Sequence, residues 1–405
     1  MKFSSRSALS SKNFRIYFYG NILSVVGIWV QRLSLGWHAW QLSESAFIVG
    51  LVAAAQYLPL LLLTPFFGVF ADQYKPRIGA IVMHVILMCV ALILSFLTFM
   101  ESMDVKYLVI LSLFYGVANS AYSPIRLALI PVLVPSSQFS SAVAITSAGF
   151  NLSRFLGPGI AGFIVTFYGL GFAYFINAIT FLPVIFALLI IKIPLVKSKS
   201  KLPESYFQKL REGFRYTLNH ELIRNVILIA GISSFFGRGI IELLPAFAVT
   251  IFSGGSDTLA KLMAASGFGA VIASLIYMTG ILDLRLRQAV LYGGYGMAIS
   301  CMLFAITENI SLGIVIVALI GFFITFVAVG SQSQVQVKVA NELRGRVSSL
   351  WTIIVLGGPA LGSLVAGLLV NEFGAQPTVI VFSSICILCL VFIQWRQTEN
   401  PNQSP

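Results

Sequence analysis

Two opposite charges stand four residues apart in a stretch that should hold none. Arg238 and Glu242 lie in SSFFGRGIIELLPAF, residues 233–247, in the middle of an apolar run from about Asn225 to Phe252. On a helix, positions i and i+4 share a face, so both side chains are expected to point the same way. An ionisable group at mid-bilayer costs about 3 kcal/mol or more, so a helix that keeps two of them is expected to turn them toward a polar or water-filled interior. Glu242 is the one acid placed deep in such a run, whereas Arg32 and Arg154 are two further cations in apolar runs. With Glu242 ionised, these four groups carry a surplus of positive charge. Surplus guanidinium suits carboxylate or phenolate oxygens, which arginine binds through two parallel donors. Neighbouring aromatic rings suit a ligand that carries rings. A site for lipophilic cations would be expected to hold surplus acid instead. Two readings of the Arg238–Glu242 pair stay open, a static ion pair and a site that exchanges protons.

The elements that must position these residues follow from composition. The chain has 405 residues, of which 58% are hydrophobic and 10% charged, and its mean hydropathy is +0.92. Soluble domains carry about 25% charged residues, so this is a polytopic membrane protein. Twelve apolar spans are expected, at about 16–42, 46–70, 78–100, 107–125, 138–166, 170–191, 223–251, 257–281, 288–307, 310–337, 347–370 and 376–395. The fold class is therefore all-α, with twelve transmembrane helices in two six-helix bundles. The first bundle covers 1–191, a cytoplasmic linker 192–222, and the second bundle with a short tail 223–405. Within the linker, Tyr206, Phe207, Leu210, Phe214 and Leu218 recur at near-helical spacing with Lys209, Arg211 and Arg215 between them. This predicts an amphipathic helix on the membrane surface, with the lipid bilayer as its partner.

The net charge of +12 belongs to topology rather than to nucleic acid, because the basic residues form no aromatic-interleaved stripe and fall between the spans. With both termini in the cytoplasm, 21 Lys and Arg residues fall on that side, and only Lys106 and Lys261 fall on the other. That bias sets the orientation. The N-terminal MKFSSRSALSSKNFR runs straight into a span with no small-residue cleavage site, as a mature cytoplasmic end would. Cys386 and Cys389 form a C-x-x-C without any nearby His, acid or βαβ pattern, and read as small apolar residues of a helix. His38 and His84 stand alone in apolar runs and read as packing residues, with proton relay as the other use. No metal cluster and no G-x-x-x-x-G-K-[ST] loop occurs, so neither a cofactor, an enzyme nor an ATP-driven pump is expected.

Three local motifs carry mechanics. The loop after the second span reads Gly68-Val-Phe-Ala-Asp72-Gln-Tyr-Lys75-Pro76-Arg77. Its glycine allows close helix approach, and its acid suits a neighbouring helix N-terminus, where an anion is favoured. The fifth span carries Gly157-Pro158-Gly159 and the eleventh carries Gly358-Pro359-Ala360-Leu361-Gly362, with the two prolines 201 residues apart. Such glycines let helices pack closely, and the proline removes a backbone bond and bends the helix. The spacing indicates a parallel repeat of two six-helix halves.

The GxxxDxxxxR pattern between spans two and three, in a six-plus-six chain, resembles the major facilitator superfamily. A degraded echo, Gly280-Ile-Leu-Asp283-Leu-Arg285-Leu-Arg287, stands between spans eight and nine. Further stretches resemble its enterobactin-exporter-like branch, the transmembrane secretion effectors. They are Gln31-Arg32 with Gly36-Trp37, Ser45-Ala46 to Gln56-Tyr57-Leu58-Pro59, Ser123-Pro124-Ile125-Arg126, Asn151-Leu-Ser-Arg154, Leu243-Leu244-Pro245 and Glu342-Leu-Arg344-Gly345-Arg346-Val347. The resemblance implies a monomeric secondary transporter of the bacterial inner membrane that works by alternating access. In that arrangement spans 1, 4, 7 and 10 line the cavity for substrate and proton. They would contribute Gln31, Arg32, Tyr115, Asn119, Tyr122, Arg238, Glu242 and Gln332. Gating would fall to Gly68, Asp72, Lys75, Arg77, Arg154, Gly157, Pro158, Gly358, Pro359 and Arg344. The fourth span lacks the Arg-Gln-Gly of the superfamily's proton-coupled drug antiporters, so proton coupling would rest on Glu242. Export of a siderophore-like anion is the expected activity, with multidrug efflux and siderophore or nutrient import as alternatives.

Overall fold

The computed structural model describes residues 7–71, 76–191, 206–279 and 286–399, and these are helical with no strand among them. The helices are α1 (Lys12–Ser43), α2 (Ala46–Ala71), α3 (Pro76–Phe99), α4 (Val105–Leu133) and α5 (Phe139–Ile190). Then come α6 (Tyr206–Asn219), α7 (Glu221–Ile232), a π-helical stretch Ser233–Arg238, α8 (Gly239–Glu242) and α9 (Leu244–Thr250). The chain finishes with α10 (Ser256–Met278), α11 (Leu286–Ile306), α12 (Ile310–Lys338), α13 (Asn341–Phe373) and α14 (Ala375–Glu399).

The 52 residues of α5 would extend about 78 Å as one straight helix, more than twice the hydrocarbon thickness. Gly169 solves this with φ 81° and ψ 173°, a conformation open to glycine alone, and divides α5 into two crossings. Among the described residues, ten segments are long and apolar enough to cross a membrane, with 136–190 counted as one. Counting both limbs of α5, and adding α1, gives the twelve crossings expected. Helix α1 is polar for a span, but it buries Asn21, Ser24, Gln31, Ser34 and His38 inside protein.

The chain forms two compact units, one of residues 1–42 and 58–203, the other of 43–57 and 204–405. The first is built on Phe14, Tyr17, Leu129, Leu133, Val184 and Leu188, all buried. Arg77 fastens α3 to the end of α5, donating from Nε to the Leu188 carbonyl (2.5 Å) and from Nη2 to the Leu189 carbonyl (2.6 Å). The last carbonyls of a helix have no partner within it, and a cation there also opposes the helix dipole. Arg77→Ala is expected to destabilise the protein by about 2 kcal/mol, and Arg77→Lys to restore part of that, read as melting of detergent-solubilised protein. Gly68 lies within α2, whereas Asp72, Lys75 and the echo residues Gly280, Asp283 and Arg285 lie outside the described residues.

The second unit contains a segment that a division at the linker assigns to the first half. Residues 43–57 pack on α13 because both chains are small at the contact. A Cβ on Gly50 would lie 2.3 Å from the Ser363 carbonyl oxygen, and one on Gly367 would lie 2.6 Å from that of Ala46. Hydrogen bonds hold the edge: Asn371 Nδ2 donates to Ser45 Oγ (2.7 Å), and Ser363 Oγ donates to the Gly50 carbonyl (3.3 Å). The same close approach joins α10 to α12, where a Cβ on Gly321 would lie 2.1 Å from the Ser266 carbonyl oxygen.

Candidate functional site

Each unit holds charged residues within its crossings. In the second unit these are Arg238 and Glu242, at and just after a π stretch of the seventh crossing. A π stretch arises when one residue too many is held between two fixed turns, and such stretches concentrate at functional sites. Here the anchor is α13. Gly358 admits Ser234, whose Oγ donates to the Val355 carbonyl (2.6 Å), and a Cβ on Gly362 would lie 2.0 Å from the Phe235 carbonyl oxygen. Gly239 meets the backbone of Gly362 from the other side, at 2.7 Å for its missing Cβ. The glycines of the eleventh crossing thus seat the backbone that carries Arg238. Glu242 ends α8, one residue before Leu243 departs from helical geometry (φ −92°, ψ 6°) and Pro245 restarts the helix.

Arg238 and Glu242 are both partly buried, but among the described residues no ion pair joins them. The π stretch ends at Arg238 and Gly239–Glu242 is α-helical, so the two residues keep their i, i+4 relation without pairing. Glu242 Oε1 instead accepts from Tyr57 Oη of α2 (3.3 Å). Sequence reading missed Tyr57 as a site residue. Its signal was its place in the Gln56-Tyr57-Leu58-Pro59 stretch that carries the family resemblance.

In the first unit Arg32 and Arg154, both partly buried, converge on one ring. The Arg32 guanidinium carbon lies 4.9 Å from the centre of Trp29, and that of Arg154 lies 6.0 Å away. Cation–π attraction of about 0.5–2 kcal/mol holds each guanidinium to the indole. Trp29 is fixed by an edge contact with Phe150 (5.8 Å) and by Gly157, where a Cβ would lie 2.4 Å from that of Trp29. The Trp29 Nε1–H is buried with no hydrogen-bond partner among the described residues. That costs about 1–3 kcal/mol in this conformation, which a ligand acceptor or a shift of α1 against α5 would remove. The two glycine-proline motifs therefore do equivalent work: each lets the fifth helix of its half meet the first.

The remaining sequence-predicted residues are dispersed. Gln31 is 1% exposed, and its Oε1 accepts from Asn177 Nδ2, a contact between α1 and the second limb of α5. Tyr122 is buried in a network with Tyr17 Oη and Asn21 Oδ1, each at 3.3 Å, and His84 stacks edge-on against it at 4.6 Å. His84 Nδ1 donates to the Ala80 carbonyl of its own helix (2.7 Å), and His38 Nδ1 pairs with Tyr174 Oη (3.2 Å), so both histidines pack. Tyr115 is buried, Asn119 partly buried and Gln332 exposed. Arg344 donates from Nη2 to the Val339 carbonyl (3.3 Å), bracing the turn between α12 and α13, and Pro158 and Pro359 are buried. Cys386 and Cys389 are free thiols one helical turn apart.

Twelve apolar crossings, one glycine-proline contact in each half, and few intramembrane charges fit a transporter of the major facilitator type. The chain belongs to the transmembrane secretion effector family, whose pattern it matches over residues 3–404. It is 24% identical over 395 residues to the staphyloferrin A transporter of Staphylococcus aureus, covering 95% of this chain and 97% of that one. It is 24% identical over 396 residues to the enterobactin exporter EntS of Salmonella choleraesuis, covering 94% and 90%. To macrolide efflux protein A of Streptococcus pyogenes it is 19% identical, covering 94% and 96%. Among solved structures, a bacterial homologue of the human lysosomal transporter Spinster superposes with a TM-score of 0.73 at 14% identity, covering 95% and 97%. The protein is thus a multi-pass membrane transporter of a small molecule, not an enzyme.

Proposed function

We propose that this transporter exports a small anionic or polyhydroxylated metabolite of the siderophore class across the bacterial inner membrane, as a monomer with both termini cytoplasmic. The observation that carries the reading is the placement of Arg32 and Arg154 on the single ring of Trp29. Two guanidiniums gathered at one aromatic ring suit a ligand bearing several carboxylate or phenolate oxygens, which accept bidentate bonds from each. Relatives named for staphyloferrin A and enterobactin support the same ligand chemistry. The macrolide-efflux relative keeps a second reading in view, in which Trp29 and Phe150 serve a large apolar drug.

The deciding experiment measures labelled carboxylate and catecholate siderophores, a macrolide and a lipophilic cation in vesicles of both orientations. Accumulation of siderophore in inside-out vesicles supports export. Preference for the macrolide or the cation rejects the substrate class, and accumulation confined to right-side-out vesicles reverses the direction.

Coupling to protons is assigned to Glu242. The Tyr57 contact places its carboxylate against the α2 segment that packs on α13, so a change in its protonation bears on that packing. Glu242→Gln is expected to abolish transport driven by a pH gradient, by at least about tenfold, while substrate binding by the solubilised protein stays within about threefold. Unchanged gradient dependence in that variant rejects the role.

A further inference from the structure

Helix α6 is bound on one side and open on the other, and the open side carries Phe214 and Leu218. Gly213 lies against the start of α13, where a Cβ would sit 2.8 Å from the Arg346 carbonyl oxygen. Thr217, one turn on, is buried, and the Glu212 carboxylate pairs with the Arg346 guanidinium. The face that packs therefore comprises Gly213, Thr217 and Glu212, with Tyr216 against the core formed by Ile223, Val335 and Val347. Arg211, Phe214, Arg215 and Leu218 are left exposed, with Phe214 at 51% and Leu218 at 47%. Glu212, the only acid in α6, is taken up by Arg346, so the exposed face bears positive charge alone.

The depth of this face is fixed by its neighbours. The membrane-crossing segments 221–242 and 343–373 begin two residues beyond α6 and at its α13 contact, respectively. Arg224 Nη1 donates to the Leu218 carbonyl (3.1 Å), holding the end of α6 against the start of α7. A helix at the mouth of two crossings lies at the headgroup boundary. An aromatic and an aliphatic side chain interleaved with two arginines match that boundary: apolar tips enter the acyl region, while guanidiniums pair with phosphate.

We infer that the Arg211, Phe214, Arg215 and Leu218 face of α6 binds anionic phospholipid headgroups, and that the Glu212–Arg346 pair transmits this contact to α13. The inference is independent of which solute the protein carries. Its test uses the full chain, with native cysteines replaced and bimane attached at Leu218→Cys, in nanodiscs of phosphatidylcholine with increasing phosphatidylglycerol. The emission is expected to shift to the blue as phosphatidylglycerol rises, and to revert in high salt. Each arginine contributes about fivefold near an anionic surface, so R211Q/R215Q is expected to weaken the apparent lipid affinity about 25-fold, whereas R211K/R215K keeps most of it. Both positions are exposed, and unchanged melting of the variants confirms that folding is unaffected. Emission that is the same in every lipid composition overturns the inference. So does a label that aqueous iodide quenches equally throughout, which would turn this face toward a soluble partner.

Discussion

Replacing Arg32 and Arg154 together by alanine is expected to abolish transport of an anionic substrate while leaving the protein folded. Hydrogen bonds to charged groups contribute about 1.5–3 kcal/mol each, so either single replacement should cost about 10- to 100-fold in transport efficiency. Because both guanidiniums share the Trp29 ring, the two losses should not add. Either deletion also changes what the other guanidinium meets at that ring. Lysine at either position keeps the charge but loses the planar fork and its stacking, so it should fall between wild type and alanine. Trp29→Phe keeps a ring and should lose less than either alanine variant. The measurement is uptake of a labelled carboxylate siderophore into vesicles, with a lipophilic cation as control. A double variant that transports the siderophore normally would remove the arginine pair from the binding site.

The second large effect is structural and concerns glycines that look interchangeable in the sequence. Gly362→Ala places a methyl 2.0 Å from the Phe235 carbonyl oxygen, a backbone atom that cannot rotate away. Gly157→Ala places one 2.4 Å from the Trp29 Cβ. Overpacking of this kind costs about 1–3 kcal/mol, and at Gly362 the strain falls on the π stretch that carries Arg238. Gly159→Ala, two residues from Gly157, meets nothing within 4 Å and should be neutral or slightly stabilising, as alanine is the better helix former. Melting of the three variants in detergent checks this directly. Equal effects at Gly157 and Gly159 would reject the packing account. Gly362→Ala is also expected to lower transport even where the protein remains folded, because it moves the helix on which Glu242 stands.

The crossings themselves were legible because hydropathy and helix breaking act locally. The turn at Gly169 fell between two predicted spans, since a chain of that length must reverse to stay in the bilayer and glycine alone takes up the required φ. The motif glycines were legible as close-contact points, and α6 as an amphipathic helix, for the same local reasons. What each of them touches was not. Arg238 and Glu242 share a helix face as their spacing implies, but their sequence does not show that Glu242 meets Tyr57, or that the π stretch before Arg238 is seated on α13, more than a hundred residues away. Gln31 and Arg32 are adjacent in the chain, yet Gln31 turns to Asn177 and Arg32 to Trp29. Arg154 joins Arg32 because Gly157 lets α5 approach α1. In the same way α6 packs through Gly213, Tyr216 and Thr217, and leaves Phe214 and Leu218 exposed. By itself the sequence determined a twelve-span transporter and which costly charges it keeps in the membrane, because burying a charge or a polar backbone group is decided one segment at a time. The tertiary structure decided which charges meet, because partner choice between packed helices depends on where small residues let two backbones approach, and no single segment contains that information.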